Sequence, residues 1–281
     1  MKIDRVQMVV PDREAVAGRW RQLLDAEDVR EDEVLALGAQ RTVLAVGTSE
    51  VELLEPSGTG PVSDFAKARG GPGLFAAGCA VDAPEQVRAV LESRRIEFGQ
   101  EGDQLFLTPE ATGGAGLRLV VSPRAKRERI GLVQRLYEVT NLVADVERAT
   151  TELARLFDLD RSSFVSIRSE QFGYDGVLTL FAPGELDRIE TIHPFDRAKT
   201  MGRFHSKRGD SLYMSYAESD RTDEIRRRAL EQGPEDWTGP REGERPDNLF
   251  LHPRALGGVM LGVSRTTFAW TWSGAPERVA P

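Results

Sequence analysis

The chain has 281 residues, 40% of them hydrophobic, which is enough for one large domain or two of ordinary size with real cores. Its net charge of −8 provides no basic field to gather phosphates, which argues against a nucleic-acid partner, and its 27 glycines and 15 prolines are scattered, which argues against collagen-like or disordered chains. The single cysteine, Cys79, excludes an intrachain disulfide and a thiol-rich metal site.

In chain order, the opening run "MKIDRVQMVV" is broken by Pro11 and Asp12. It is too short for a signal segment or a membrane span, so no membrane association and a cytoplasmic location are expected. "RVQMVV" alternates like a strand and leads through an Asp into helix-period apolar positions ending at Leu24. "VELLEP" (51–56) reads as a further strand, and "FAAGCAV" makes Cys79 a small buried hydrophobe rather than a nucleophile. "APEQVRAVLESRRIEFG" places Val87, Val90 and Leu91 at helical spacing, with Pro84 near the start. The basic run "PRAKRER" (123–129) reads as a solvated linker.

Beyond the linker the chain repeats itself. "EVTNLVADVERATTELARLF" (138–157) restates 5–24, "IETIHP" (189–194) restates "VELLEP", "FHSKRGDSLYMSYAES" (204–219) restates 65–82, and "LFLHPRALGGVMLGV" (249–263) restates 105–121. A helix is expected after Ser219, with Asp220 as its cap, Ile225, Ala229 and Leu230 on one face and Gly233 as its stop. "EQGPEDWTGPREGERPDN" (231–248) reads as an inserted surface loop. The order strand, helix, three strands occurs twice in each half, so the fold class is α+β with four βαβββ modules. The domains are 1–122 and 136–281, joined by the linker 123–135.

Four paired βαβββ modules, with "IDRVQMVVPD", "VELLEP" and "NLFLHPRALGGVMLGV" in that order, resemble the vicinal oxygen chelate superfamily of glyoxalase I, methylmalonyl-CoA epimerase, bleomycin-resistance proteins and extradiol dioxygenases. The resemblance implies two tandem glyoxalase-like domains, each a cup into which four strands direct ligands for one divalent metal. The corresponding positions here are Arg5, Glu52, Ala76 and Val120 in the first half, and Glu138, Glu190, Met214 and Gly262 in the second. One donor of four and two of four are poor sets for a hard cation, so no metal is expected. An Arg5–Glu52 ion pair is the simpler account of the first set.

In the second half, Glu138 and Glu190 on neighbouring strands cannot both ionise easily in a desolvated cup, so one pKa should rise. This suggests carboxylate acid/base chemistry with Glu138, Glu190 and His193 as catalytic candidates. Tyr213, Met214, Tyr216, His252 and Gly262 are substrate-binding candidates in the same half, and the first half is expected to be structural. "FAWTW" (268–272) packs either across the pocket mouth or between the halves. No GxGxxG in a strand–helix context and no GxxxxGK[ST] occurs, so no cofactor is expected. The expected activity is that of a metal-independent isomerase, epimerase or lyase acting on a small, partly apolar carbonyl compound. The alternatives are a non-catalytic small-molecule binding or resistance protein and, behind it, a metal-dependent extradiol dioxygenase; the assembly considered is a homodimer.

Overall fold

The computed structural model of the chain describes residues 1–240 and 243–281. The first half runs β1 (Lys2–Val9), α1 (Arg13–Leu24), β2 (Glu27–Val34), β3 (Ala39–Val46), β4 (Ser49–Pro56), α2 (Pro61–Arg69), β5 (Gly73–Val81), α3 (Pro84–Ser93), β6 (Phe98–Glu101), β7 (Gln104–Leu107) and β8 (Leu119–Pro123). The second half repeats the order as β9 (Arg135–Leu142), α4 (Val146–Phe157), β10 (Val165–Ser169), β11 (Tyr174–Leu180), β12 (Arg188–His193), α5 (Thr200–Arg208), β13 (Ser211–Ser219), α6 (Thr222–Gln232), β14 (Trp237–Thr238), β15 (Asn248–Leu251) and β16 (Met260–Arg265). Each half is therefore a pair of βαβββ modules. The pairs are joined by α2 and α5, two helices the sequence pattern does not announce; the basic stretch around Arg203 and Lys207 lies in α5.

The repeat has a local cause that is visible at α1 and α4. Asp12 caps α1 by accepting from the Ala15 amide at 2.9 Å, and Asp145 caps α4 by accepting from the Arg148 amide at 3.0 Å. Each satisfies an amide that has no partner within the helix. Gly233 ends α6 as expected. Asp220 does not cap that helix. It pairs with Arg129 of the linker, Arg129 Nη1 to Asp220 Oδ2 being 2.8 Å, because the guanidinium is a stronger partner than an exposed amide. The inserted loop after α6 contributes the short β14, and Arg241 and Glu242 within it lie outside the described residues.

Each half forms one eight-stranded sheet, ordered β2-β3-β4-β1-β5-β8-β7-β6 and β10-β11-β12-β9-β13-β16-β15-β14. The central pairs β1–β5 and β9–β13 are antiparallel, while β1–β4 and β9–β12 are parallel. One face of both sheets shares a single hydrophobic core with the helices, including Trp20, Leu91, Leu153 and Ile225. Through this core α1 packs beside α6 and α3 beside α4. Across the seam, Asp187 accepts from the Ile3 amide at 2.9 Å and pairs with Arg135 at 2.6 Å. The opposite faces line two separate cups, one per half, each with its own smaller apolar cluster. Among the described residues no helix is long and apolar enough to cross a membrane.

Candidate functional site

The two cups are built on the same strand register with their charges exchanged. In the first, Arg5 on β1 lies opposite Glu50 on β4, and Gln7 lies opposite Glu52. In the second, Glu138 on β9 lies opposite Arg188 on β12, and Thr140 lies opposite Glu190. Register shifts fall at Asp4 between β1 and β5 and at Tyr137 between β9 and β13, as expected where a bulge re-aims side chains. Plain strand alternation therefore places Asp4 and Tyr137 wrongly.

In the first cup Glu52 is fully buried and saturated with donors. It accepts from Arg5 Nη1 and Gln7 Nε2, both at 2.7 Å, and from Arg41 Nη1 and Gln104 Nε2, both at 3.2 Å. Burial pushes its carboxyl up, but the charges of Arg5 and Arg41 and the hydrogen bonds outweigh it and hold the pKa below the usual carboxylate value. Arg5 also meets Asp4 at 2.8 Å and Glu50 at 3.0 Å. From the linker, Arg127 reaches into the cup and pairs with Asp4 and Glu50, both at 3.1 Å. This segment, read from sequence as solvated, is thus partly a wall. A cavity of about 510 Å³ opens beside these groups, lined in part by Arg5, Arg41, Glu50, Gln104 and Arg127.

In the second cup, Arg188 is fully buried and donates from Nε to Glu138 Oε2 at 2.6 Å and from Nη1 to the Leu186 carbonyl at 3.2 Å; its guanidinium carbon lies 5.1 Å from the centre of the Tyr137 ring. Its Nη2 has no hydrogen-bond partner among the described residues. Glu190, 6% exposed, accepts a 2.6 Å bond from Thr140 Oγ1 and is in ion-pair contact with no cation among the described residues. Burial first, then the charge of Glu138, pushes the Glu190 pKa up to about 8, against smaller opposing pulls from Thr140 and Arg188. Burial raises Glu138 too, opposed by the contacting Arg188, so Glu190 is the member of the pair that keeps its proton. Tyr174, two places before Gly176 on β11, is likewise raised by burial and by the charges of Glu190 and Glu138.

The register explains why Glu190 lacks the cation that Glu52 has. Val43 on β3 lies opposite Glu52, and Leu178 on β11 lies opposite Glu190. Two residues earlier on each strand stand Arg41 and Gly176. A Cβ on Gly176 would overlap the Thr191 carbonyl oxygen, so the strand is drawn too close there for a side chain.

Of the residues singled out from sequence, Glu138, Glu190, Met214, Tyr216 and Gly262 share this cup. Met214 pairs with Thr140, and Tyr216 with both Glu138 and Gly262. The space above Gly262 is occupied by the Tyr216 ring. That ring lies 5.9 Å from those of Tyr137 and Phe250 and 6.2 Å from Trp272, so the 268–272 segment packs at the cup rather than between the halves. His193, one step out of phase with Glu190 and Ile192, points to the opposite face of β12, where its Nδ1 lies 3.1 Å from the Val143 carbonyl. Tyr213 packs edge-to-face on Phe204 of α5 at 5.0 Å. His252 lies in the turn after β15, with its nitrogens on Thr238 Oγ1 at 2.8 Å and the Glu235 carbonyl at 3.0 Å. These three are not brought together with the carboxylates. Arg188 and Thr140 were missed. The first was legible in "RIETIH", where Arg188 and Glu190 stand two apart and so face the same side.

Neither cup fits the divalent metal that the resemblance implies. The acceptor positions of Glu52 are taken by guanidinium and amide donors, and Glu138 is held by Arg188, which already supplies positive charge at that point. Beyond the two glutamates, Met214 and Gly262 offer no hard oxygen or nitrogen donor. Among the described residues, no group of three or more His, Cys, Asp or Glu side chains is placed to hold a metal.

No protein-family model and no curated protein matches the sequence. Among solved structures, a triple mutant of 4-hydroxymandelate synthase from Streptomyces coelicolor matches over 94% of this chain and 93% of its own, with 14% identity and a TM-score of 0.67. Methylmalonyl-CoA epimerase from Mycobacterium tuberculosis matches over 48% of this chain and 89% of its own, with 23% identity and a TM-score of 0.39. A hypothetical protein from Bacillus halodurans matches over 45% and 96%, with 20% identity and a TM-score of 0.37. The full-length likeness to the first shows that the chain has the vicinal oxygen chelate fold, in two tandem glyoxalase-like units. At 14% identity the fold is what the likeness carries.

Proposed function

We propose that the protein is a metal-independent isomerase, epimerase or lyase that moves a proton beside the carbonyl of a small, partly apolar compound in the second cup. The observation that carries this reading is the asymmetric buried trio, with Glu138 tied to Arg188 and Glu190 left without a cation and pushed up to about 8. A carboxyl with that pKa is mostly protonated near neutrality yet readily deprotonated, which suits a group that both takes and returns a proton. In the step proposed, ionised Glu190 removes the proton from the carbon next to the carbonyl. The electron pair of that bond moves to the carbonyl oxygen, where the free Nη2 of Arg188 donates to the developing oxyanion. Return of the proton by Glu190 to a different atom of the enolate completes isomerisation, and delivery of a solvent proton to the opposite face of the original carbon, with Glu190 giving its own proton back to solvent, completes epimerisation. Glu138 acts as a positioning residue, holding Arg188 by its Nε. Tyr216, Phe250 and Trp272 supply apolar wall for the rest of the substrate.

The test is solvent-deuterium exchange at that carbon, followed by NMR over a panel of aryl and alkyl keto acids, hydroxy acids and thioesters. Exchange by the wild type that falls at least ~10²-fold in Glu190→Gln supports the reading. Binding of a panel member without exchange, unaffected by Glu190→Gln, would instead establish the protein as a non-catalytic binder.

A further inference from the structure

We propose that the first cup carries a second, separate small-molecule site, an apolar pocket beneath Gln7 that takes a short carboxylic acid bearing a hydroxyl group. The site is independent of the chemistry assigned to the second cup. Gln7, Glu52, Arg41 and Gln104 form a polar layer across the cup. The 510 Å³ cavity lies against Arg41 and Gln104 of this layer and against Arg5 beside it. A smaller cavity of about 60 Å³ is lined by Gln7 together with Phe75, Ala76, Phe106, Leu107 and Leu119, with Arg118 also in its wall.

Two observations give that pocket its chemistry. Glu52, held ionised by its arginines, can only accept hydrogen bonds, so it fixes the Gln7 amide with Nε2 towards itself at 2.7 Å. The Gln7 Oε1 is thereby left without a donor in a fully buried side chain. A buried acceptor without a donor is costly, and a ligand hydroxyl would relieve it. The second observation is Arg118, whose guanidinium stacks 5.1 Å from the Phe75 ring centre and is in ion-pair contact with no carboxylate among the described residues, Glu110 and Asp64 acting on it only at longer range. In a chain whose arginines are mostly in contact with carboxylates, it offers a cation with no contacting carboxylate at a largely apolar pocket, the setting for an anion. A hydroxyl at the inner end, a short apolar stem and a carboxylate at Arg118 satisfy all three surfaces. The volume is several times the roughly 10–15 Å³ needed for one water and well below the roughly 150 Å³ cavity that holds benzene, so the stem is a few carbons long.

The experiment is calorimetric titration of the whole protein with glycolate, 3-hydroxypropanoate and 4-hydroxybutanoate, with butanoate and butan-1-ol as controls lacking one of the two polar ends. The expected result is saturable binding of one hydroxy acid roughly tenfold or more tighter than of either control, because a site with a buried acceptor discriminates against ligands that leave it unmet. Arg118→Met should weaken that acid at least tenfold while leaving butan-1-ol unchanged, and Ala76→Leu, which fills the pocket, should abolish binding in a protein with unaltered circular dichroism. Absence of saturable binding across the series, equal affinity for the hydroxy acid and butanoate, or indifference to Arg118→Met would each overturn the proposal. Because Arg118 is at least partly solvent-exposed, its replacement keeps the test decisive even where Ala76→Leu does not fold.

Discussion

Glu52 and Glu190 stand at equivalent places in the two halves, both buried on the fourth strand of a module, and their surroundings drive them to opposite protonation states. Glu52 meets Arg5, Arg41 and two amides and is held below the ordinary carboxylate pKa. Glu190 meets one hydroxyl and the negative charge of Glu138 and is pushed up to about 8. The backbone scaffold is common to both, so the difference comes from two substitutions of partner. The arginine that faces the fourth strand in the first cup stands on the fourth strand in the second, and the neutralising Arg41 has become Gly176. A duplicated fold can thus keep one cup as a neutralised polar network and leave the other with an acid available for chemistry.

The largest effects should come from breaking the buried ion pairs one partner at a time. Arg5→Met takes the shared cation from Asp4, Glu50 and Glu52 together, leaving Arg127 to the first two and Arg41 to the third, and with three buried carboxylates affected at once its cost should lie at the upper end of the roughly 3–5 kcal/mol expected for breaking a buried pair. Arg188→Met strands Glu138 alone and should cost about 3 kcal/mol, much of it recovered in the double variant Glu138→Leu/Arg188→Met. Urea unfolding of the four proteins checks the ranking. Equal losses from the two single variants would erase the difference argued between the cups.

Next in size is a pH dependence of opposite sign. Because the folded pKa of Glu190 lies above its ordinary 4.5, its contribution to stability is fully present below about 4.5 and is lost as pH rises through about 8. Glu190→Gln should therefore remove a decline in stability over that window amounting to a few kcal/mol, at ~1.4 kcal/mol per pKa unit. Glu52, lowered from 4.5, contributes stability that is present above that value and is lost as pH falls through its folded pKa, so Glu52→Gln should flatten the acid limb instead. Thermal unfolding of both variants from acid to alkaline pH shows which limb each residue controls.

Smaller effects are expected from packing. Gly262→Leu must displace the Tyr216 ring and should cost ~1–3 kcal/mol, with a change in aromatic near-ultraviolet dichroism from the Tyr137–Tyr216–Trp272 cluster. Val120→Leu, at the equivalent position of the first cup, extends an already apolar floor and should leave that spectrum unchanged. The smallest effect concerns Cys79, whose fully buried thiol is raised by burial. Its alkylation in the folded protein should be slow and should track unfolding.

The repeat, the capping aspartates and the alternation of "VELLEP" and "IETIHP" made the fold legible, because they follow from backbone periodicity, which a sequence displays directly. The carboxylates were legible for the same reason. Arg188 was within reach of period-two alternation but stands one residue before the repeated stretch "IETIHP", and the roles of Asp4 and Tyr137 were not within reach, since a bulge breaks the alternation that would reveal them. The helices α2 and α5 are short and only weakly patterned, so periodicity could not announce them. His193 attracted attention by spacing alone, and the same alternation that puts Glu190 in the cup turns His193 away from it.

The central claim, that the second cup holds one uncompensated buried acid, is tested most directly by carbon-13 NMR of the side-chain carboxyl of Glu190, assigned by comparison with Glu190→Gln. The account predicts a titration midpoint near 8 in the wild type, moving down when Glu138→Gln removes the neighbouring charge. A midpoint at or below the ordinary 4.5 would contradict it.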